Sequence, residues 1–334
     1  MSVVSASASR RQRVASISAV CCCLLTSLGV ASCSAEPPAL PLQISSASPY
    51  AVSVDAIALH RSDAQSNAFV FDQASTPPQE VVNADQLGSD AGVGSRITLS
   101  RELQQGAWEV CFWGIDGWSD SILLPSGDYL LHADATRRGP PSEGPLYLAY
   151  RSRLYTTELN WKHALECNWL SPLVGARWLR LGESFGFAGQ YGDAPSTEFE
   201  GIYRTQNDLF GGQLGAEALL FAPTERLSLS ATGKAGAYLN DVQMTVDYTA
   251  EGNELSQSNQ DESLAFVGEI LLTASCKITP SVTVRGGYQL NWVEGAALAA
   301  NQPSTYVAMP SNGKVNDDGS LFLHGGFAGL EVAW

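Results

Sequence analysis

The chain has 334 residues, 34 acidic against 19 basic, and a formal charge of −15. Only 16% of its residues are charged while 31 are glycine, a balance that excludes coiled-coil and disordered classes and suits a soluble helical enzyme poorly. So acidic a chain also argues against nucleic-acid binding, which needs positive potential.

In chain order, residues 1–35 read as a secretory signal. Arg10, Arg11 and Arg13 form a basic start, Val14 to Ala31 is apolar or small, and Cys33-Ser34-Ala35 offers a small-residue cleavage site before Glu36-Pro37-Pro38. Val30-Ala31-Ser32-Cys33 also reads as a lipobox, which leaves lipidation of Cys33 open. Residues 36–51 are expected to be a periplasmic linker, and 52–334 an outer-membrane domain. No later stretch approaches the ~18 consecutive apolar residues of a spanning helix.

Ten segments of period-2 alternation follow, at 52–59, 93–101, 107–115, 146–163, 173–182, 205–221, 227–240, 264–278, 282–293 and 321–334. Several exceed the five or six residues of an average soluble strand and reach the roughly nine to eleven of a tilted membrane strand. Their connections alternate. Glu102–Gly106, Ala164–Pro172, Ala222–Arg226 and Thr279–Ser281 are short, whereas 60–92, 116–145, 183–204, 241–263 and 294–320 are long and polar. The pattern predicts a closed antiparallel up-and-down transmembrane β-barrel of about ten strands, with twelve as the alternative, short periplasmic turns and long extracellular loops.

The two faces of each segment differ. One face of 205–221 carries Phe210, Leu214 and Leu220, and that of 264–278 carries Phe266, Ile270 and Leu272. The opposite faces hold six acids (Asp55, Glu109, Glu158, Glu217, Glu269, Glu331) and six bases (Arg96, Lys162, Arg177, Lys234, Lys277, Arg285), which would have to pair inside a lumen. Glu217 and Lys234 flank a short turn and are expected to meet diagonally. A soluble sandwich would reverse these faces. Three features favour the membrane: the loop alternation, aromatics near the strand ends, and the closing Gly329–Trp334 segment. Trp108, Trp161 and Trp334 are expected at the short-turn interface, and Trp178 and Trp292 nearer the long loops.

Charge is concentrated in the long connections, which hold 23 acids and 5 bases, six of the acids and none of the bases within 241–263. Such loops could gather divalent cations or simply stay solvated.

Several stretches resemble the planctomycete beta-barrel porin-7 family. They are Tyr150-Arg151-Ser152-Arg153-Leu154-Tyr155 with Glu158-Leu159-Asn160, Gly175-Ala176-Arg177-Trp178-Leu179-Arg180-Leu181, Asn207-Asp208-Leu209-Phe210-Gly211-Gly212-Gln213-Leu214-Gly215, and Lys234-Ala235-Gly236-Ala237-Tyr238. The resemblance covers residues 150–334 well and 52–115 loosely. It implies an outer-membrane barrel and carries over no site residues.

Motifs for chemistry are missing: no phosphate loop, zinc spacing, nucleophile elbow or paired-cysteine motif occurs. Cys111, Cys167 and Cys276 are too scattered for a disulfide framework. Asn316-Asp317-Asp318-Gly319-Ser320 lacks the alternating ligands of a calcium loop and reads as a turn. His60 and His324 fall near the long-loop rim, but His324 has lipid-facing parity, which weakens any catalytic reading. The expectation is therefore a non-enzymatic porin-like barrel with no cofactor or metal. Its expected partners are outer-membrane lipid and, through the last strand, the barrel-assembly machinery. The alternatives are a non-conducting structural or surface-interaction barrel, and a rim-located membrane enzyme.

Overall fold

Alternation of apolar and polar side chains places each set on one face of a strand, and the glycines interspersed among them let strands approach closely. The computed structural model describes residues 49–63, 68–72, 74–75, 79–83, 91–131, 141–142, 144–167, 169–190, 198–250, 252–302 and 315–334. The secretory signal, Cys33 and most of the linker expected before residue 52 lie outside them.

Among the described residues fourteen strands occur in chain order: β1 (Tyr50–Asp63), β2 (Ala68–Asp72), β3 (Gln79–Asn83), β4 (Ala91–Leu103), β5 (Gly106–Leu124), β6 (Tyr129–Leu131), β7 (Pro141–Ser142), β8 (Leu146–His163), β9 (Leu170–Gln190), β10 (Glu198–Thr224), β11 (Leu227–Ala250), β12 (Asn253–Lys277), β13 (Val282–Ala296) and β14 (Gly319–Ala333). Ten of them, β1, β4, β5 and β8 to β14, form a closed barrel. Every barrel pairing is antiparallel between neighbours, and β14 completes the ring on β1 from Ala51↔Ala333 to Asp63↔Leu321. Closure leaves no unpaired edge over the lower wall, but among the described residues β12 from Asn253 to Ala265 pairs only with β11, and β5 beyond Ile115 only with β8. The four short strands form a separate sheet in the order β3-β2-β6-β7.

All ten expected barrel strands are present, but most run further than the alternation indicated. β10 has 27 residues and β12 has 25, so much of what reads as loop at 183–204 and 241–263 is strand. The hairpin of β11 and β12 stays paired out to Ala250↔Asn253 and turns at Gly252, whose φ of +78° suits glycine. The wall is uneven, because β1, β4, β13 and β14 have only 13 to 15 residues.

Exposure follows the expected parity. Phe210, Leu214 and Leu264 on the outside are 60%, 51% and 74% exposed, whereas Glu158 and Arg177 on the inside are 1% and 3% exposed. Ionised groups shut within and aliphatic groups turned outward is the polarity that a hydrocarbon surround requires and water penalises.

Candidate functional site

The interior changes character along its height. At the short-turn end lies a cavity of about 530 Å³, lined by Ser53, Glu109, Lys162, Glu217, Ser230, Thr273, Lys277 and Glu331 among others. Above it the inward positions carry a charged layer, which strand register builds directly. Asp55 stands opposite Arg96, Glu158 opposite Arg177, and Lys234 opposite Glu269.

Long side chains then connect strands that are not neighbours. Arg177 contacts Glu158 and Glu269, both at 2.6 Å, and Lys234 reaches the same two carboxylates at 2.8 and 2.7 Å. Two acids and two bases thus form a closed, neutral ring joining β8, β9, β11 and β12. Gln213 on the intervening β10 donates to Glu158 (2.8 Å) and to Asn160 Oδ1 (2.7 Å), and accepts from the Tyr238 hydroxyl (3.2 Å). On the other side of the lumen Asp55 lies 3.2 Å from Arg96 and 3.3 Å from Arg285, which also reaches Glu331 at 3.4 Å. Phe327 lies beneath both guanidiniums, at 4.5 and 5.9 Å. Lower down, Lys162 joins Glu109 (2.6 Å) and Glu217 (2.8 Å).

Of the twelve charges expected in the lumen, eleven therefore stand in ion pairs, and Lys277 lines the lower cavity without one among the described residues. The diagonal Glu217–Lys234 contact does not form. In register Lys234 stands opposite Gly215, and Glu217 opposite Thr232; each long chain finds its partner on another strand.

Above the charges apolar side chains fill much of the lumen, including Ile57, Leu59, Ile115, Leu154, Leu181, Leu209 and Leu323, with Gln289 and Asn291 buried at the same level. Higher still, the chain leaving β13 turns into the barrel. Gly295 has φ +82°, and Ala296 to Gln302 are all 3% exposed or less. Asn207 clamps this segment with both ends of its amide, donating to Ala297 O (2.9 Å) and accepting from Ala297 N (2.7 Å). Asn240 donates to Gly295 O (3.0 Å), and Glu183 accepts from Ala299 N (2.8 Å). Glu183 also pairs with buried Arg61 at 2.7 Å and accepts from Tyr150 at 3.0 Å. Val70, Val82 and Tyr129 of the small sheet pack in the same cluster as Phe185, Phe187, Tyr203 and Met244 of the tall strands.

Sequence reasoning missed both the inserted segment and the Arg61–Glu183 pair. The usable signal was the run Gly295-Ala296-Ala297-Leu298-Ala299-Ala300, small and apolar inside a stretch taken for a polar loop.

On the outer face, Trp108 packs on Trp161 (5.1 Å between rings) and Tyr50 on Trp334 (6.4 Å) at the short-turn end. Trp178–Phe210 (6.2 Å) and Phe266–Trp292 (6.3 Å) form matching pairs further up. His60 and His324 are partners in register with rings 5.8 Å apart, and Tyr288 Oη lies 2.7 Å from His324 Nδ1. Both histidines sit on the outward parity, and β1 continues to Asp63, so His60 lies within the strand and not in the connection expected to begin at residue 60. Cys111 and Cys276 are free thiols. Asn316 N donates to Gln302, and Asp318 N donates to Asn316, which is turn chemistry. Among the described residues no group of three or more His, Cys, Asp or Glu is arranged to hold a metal ion.

A closed antiparallel barrel with an apolar exterior and a charged, plugged interior is the class this geometry defines. No family model and no curated protein matches the chain, so the likeness to porin-7 proteins rests on the quoted stretches alone. Among solved structures, it is similar to the outer membrane protease OmpT from Escherichia coli, at 12% identity over 88% of this chain and 99% of that one, with a TM-score of 0.46. Others are Neisserial surface protein A (11% identity, 86% and 98% of the chains, TM-score 0.24) and a Pseudomonas aeruginosa FadL homologue (10%, 86% and 90%, TM-score 0.29). At such values no residue or activity is transferred from them.

Proposed function

We propose that this chain is an outer-membrane β-barrel whose lumen is sealed, and that it acts at the cell surface through its projecting strands rather than as an open diffusion pore. One observation carries this reading: the backbone of residues 295–302 lies inside the barrel, held by Asn207, Asn240 and Glu183 above a packed apolar layer. A diffusion pore needs a continuous polar path, and dry apolar packing interrupts it. At ~3.3 Å per residue the longest strand runs roughly 90 Å, far beyond a bilayer even when tilted, which leaves its upper part as a surface structure. The aromatic pairs would sit at the two lipid interfaces, and β14, as the closing strand, would engage the assembly machinery.

Recording from the full-length protein in planar bilayers tests this. Folded protein is expected to give no stable conductance steps; reproducible steps would overturn it. The porin-like reading keeps one specific support, the polar cavity of about 530 Å³ that enters the barrel from the short-turn end. In that reading residues 295–302 would have to move aside, and steps appearing only under applied voltage would favour it.

A further inference from the structure

A group of arginines on the outer wall is used neither by barrel closure nor by the interior network. Arg151 and Arg153 of β8, Arg180 of β9 and Arg204 of β10 all have outward parity, while Tyr150, Ser152 and Leu154 between and beside them are buried. Among the described residues above the short-turn rim, these are all of the outward-facing lysines and arginines, and they fall on three adjacent strands.

Strand register fixes their height. The apolar belt ends at the Trp178–Phe210 row. The rows above it read Tyr155–Arg180–Asp208, then Arg153–Gly182–Gln206, then Arg151–Ser184–Arg204. The small residues Gly182 and Ser184, and Gly117 at the bulge of β5, leave a groove of about 610 Å³ lined by Arg151, Arg153 and Arg204, with Asp116 as the acid in its wall. Arg153 lies across the glycine, since a Cβ built on Gly182 would come within 3.1 Å of its Nε.

The four are not equally engaged. Arg180 holds Asp208 through two bonds of 2.7 and 3.1 Å, and Arg204 pairs with Asp247. Arg151 and Arg153 form no ion pair or side-chain hydrogen bond among the described residues, and Asp116 is the acid standing opposite Arg153 in register.

We infer that this groove binds the phosphate of an anionic lipid head group in the leaflet facing the long loops; this rests on the membrane reading above. The groove opens sideways directly over the apolar belt, where head groups lie and acyl chains can follow the wall below. Guanidinium forks match phosphate oxygens, and two free forks flanking a side-chain-poor floor leave room for one. On the neighbouring strands the upper exterior carries the acids Asp241 and Glu262, which would repel an anionic lipid.

The test uses the full-length protein in phosphatidylcholine nanodiscs, titrated with diphosphorylated lipid A or its dephosphorylated counterpart and read by native mass spectrometry. The phosphorylated lipid is expected to bind preferentially, and the Arg151→Ala/Arg153→Ala variant to lose at least about tenfold in affinity. Arg101→Ala, at the opposite rim, should leave binding unchanged. Equal binding of both lipids, an unaffected double variant, or displacement by millimolar inorganic phosphate would each overturn the inference, the last by making the groove a soluble-anion site. A chain that does not insert, shown by unshifted mobility on heating and full protease sensitivity, would overturn the membrane reading itself, a distinguishable failure.

Discussion

The two halves of the barrel interior are built on opposite principles. Near the short turns the inward side chains are polar and charged around a cavity, and stability there depends on matching the buried ions. Towards the long loops the inward side chains are Leu, Phe, Tyr, Val and Met, filled from above by the inserted segment and the small sheet. The same strands make both halves. What differs is what fills the space: ions that must find partners below, and chain from the loops above. The lower half should therefore break by loss of a single charge, the upper half by loss of whatever seats the insert.

The largest effect is expected at Glu158. Replacing it with Leu leaves Arg177 and Lys234 sharing Glu269 alone and removes one of the two acceptors used by Gln213. Breaking a buried ion pair from one side costs about 3–5 kcal/mol. Guanidinium unfolding of refolded protein in micelles, followed by tryptophan fluorescence, should show that loss; a change under about 1 kcal/mol would mean that the ring is hydrated and dispensable.

Arg61 and Glu183 apply the same logic to the upper half. Arg61→Met alone should cost about 3 kcal/mol by leaving Glu183 buried without its cation, whereas Arg61→Met/Glu183→Leu should recover most of it. The double variant is also expected to loosen Ala299, which donates its N–H to Glu183. Hydrogen exchange at Ala299 separates the two contributions.

Asn207→Leu comes next. It removes both amide bonds to Ala297 and leaves that peptide unpaired in a dry interior, for about 2 kcal/mol. The readout sharpens the contrast between the halves: exchange should accelerate over 295–302 while the amides around Glu158 stay protected.

Much of this fold is legible in the sequence because the alternation of faces survives wherever the outward side of a strand is apolar. Phe210, Leu214 and Leu220, or Ile270 and Leu272, mark their strands without ambiguity. That signal stops where the strands leave the belt. From Asn253 to Ser263 both faces are largely polar, so a continuing strand looks like a loop. The lumen charges were identifiable by parity, but their partners were not. Parity says that a side chain points inward, whereas the pairings of Lys234 with Glu158 and Lys162 with Glu217 depend on how far a side chain reaches across the barrel. Insertion of 295–302 is marked locally only by its small apolar run, because the residues that seat it, Asn207, Asn240 and Glu183, come from three other strands.

The smallest effect is expected outside both halves, in the projecting hairpin. Asp247 accepts from the Ser256 hydroxyl at 2.6 Å and pairs with Arg204, and both hold its carboxyl below the ordinary aspartate value of 3.8. A lowered folded-state value means that the contribution is present above the ordinary aspartate range and is lost as the pH falls through the lowered one. The side chain is 42% exposed, so solvent screens the pair and Asp247→Asn should change stability by less than about 1 kcal/mol at neutral pH. Unfolding midpoints of the variant and parent should then converge as the pH falls below that range. If Asp247→Asn matched Glu158→Leu in its effect, the projecting strands would be as tightly coupled to the core as the lumen ring is, and the division between a rigid barrel and an independent surface ribbon would not hold.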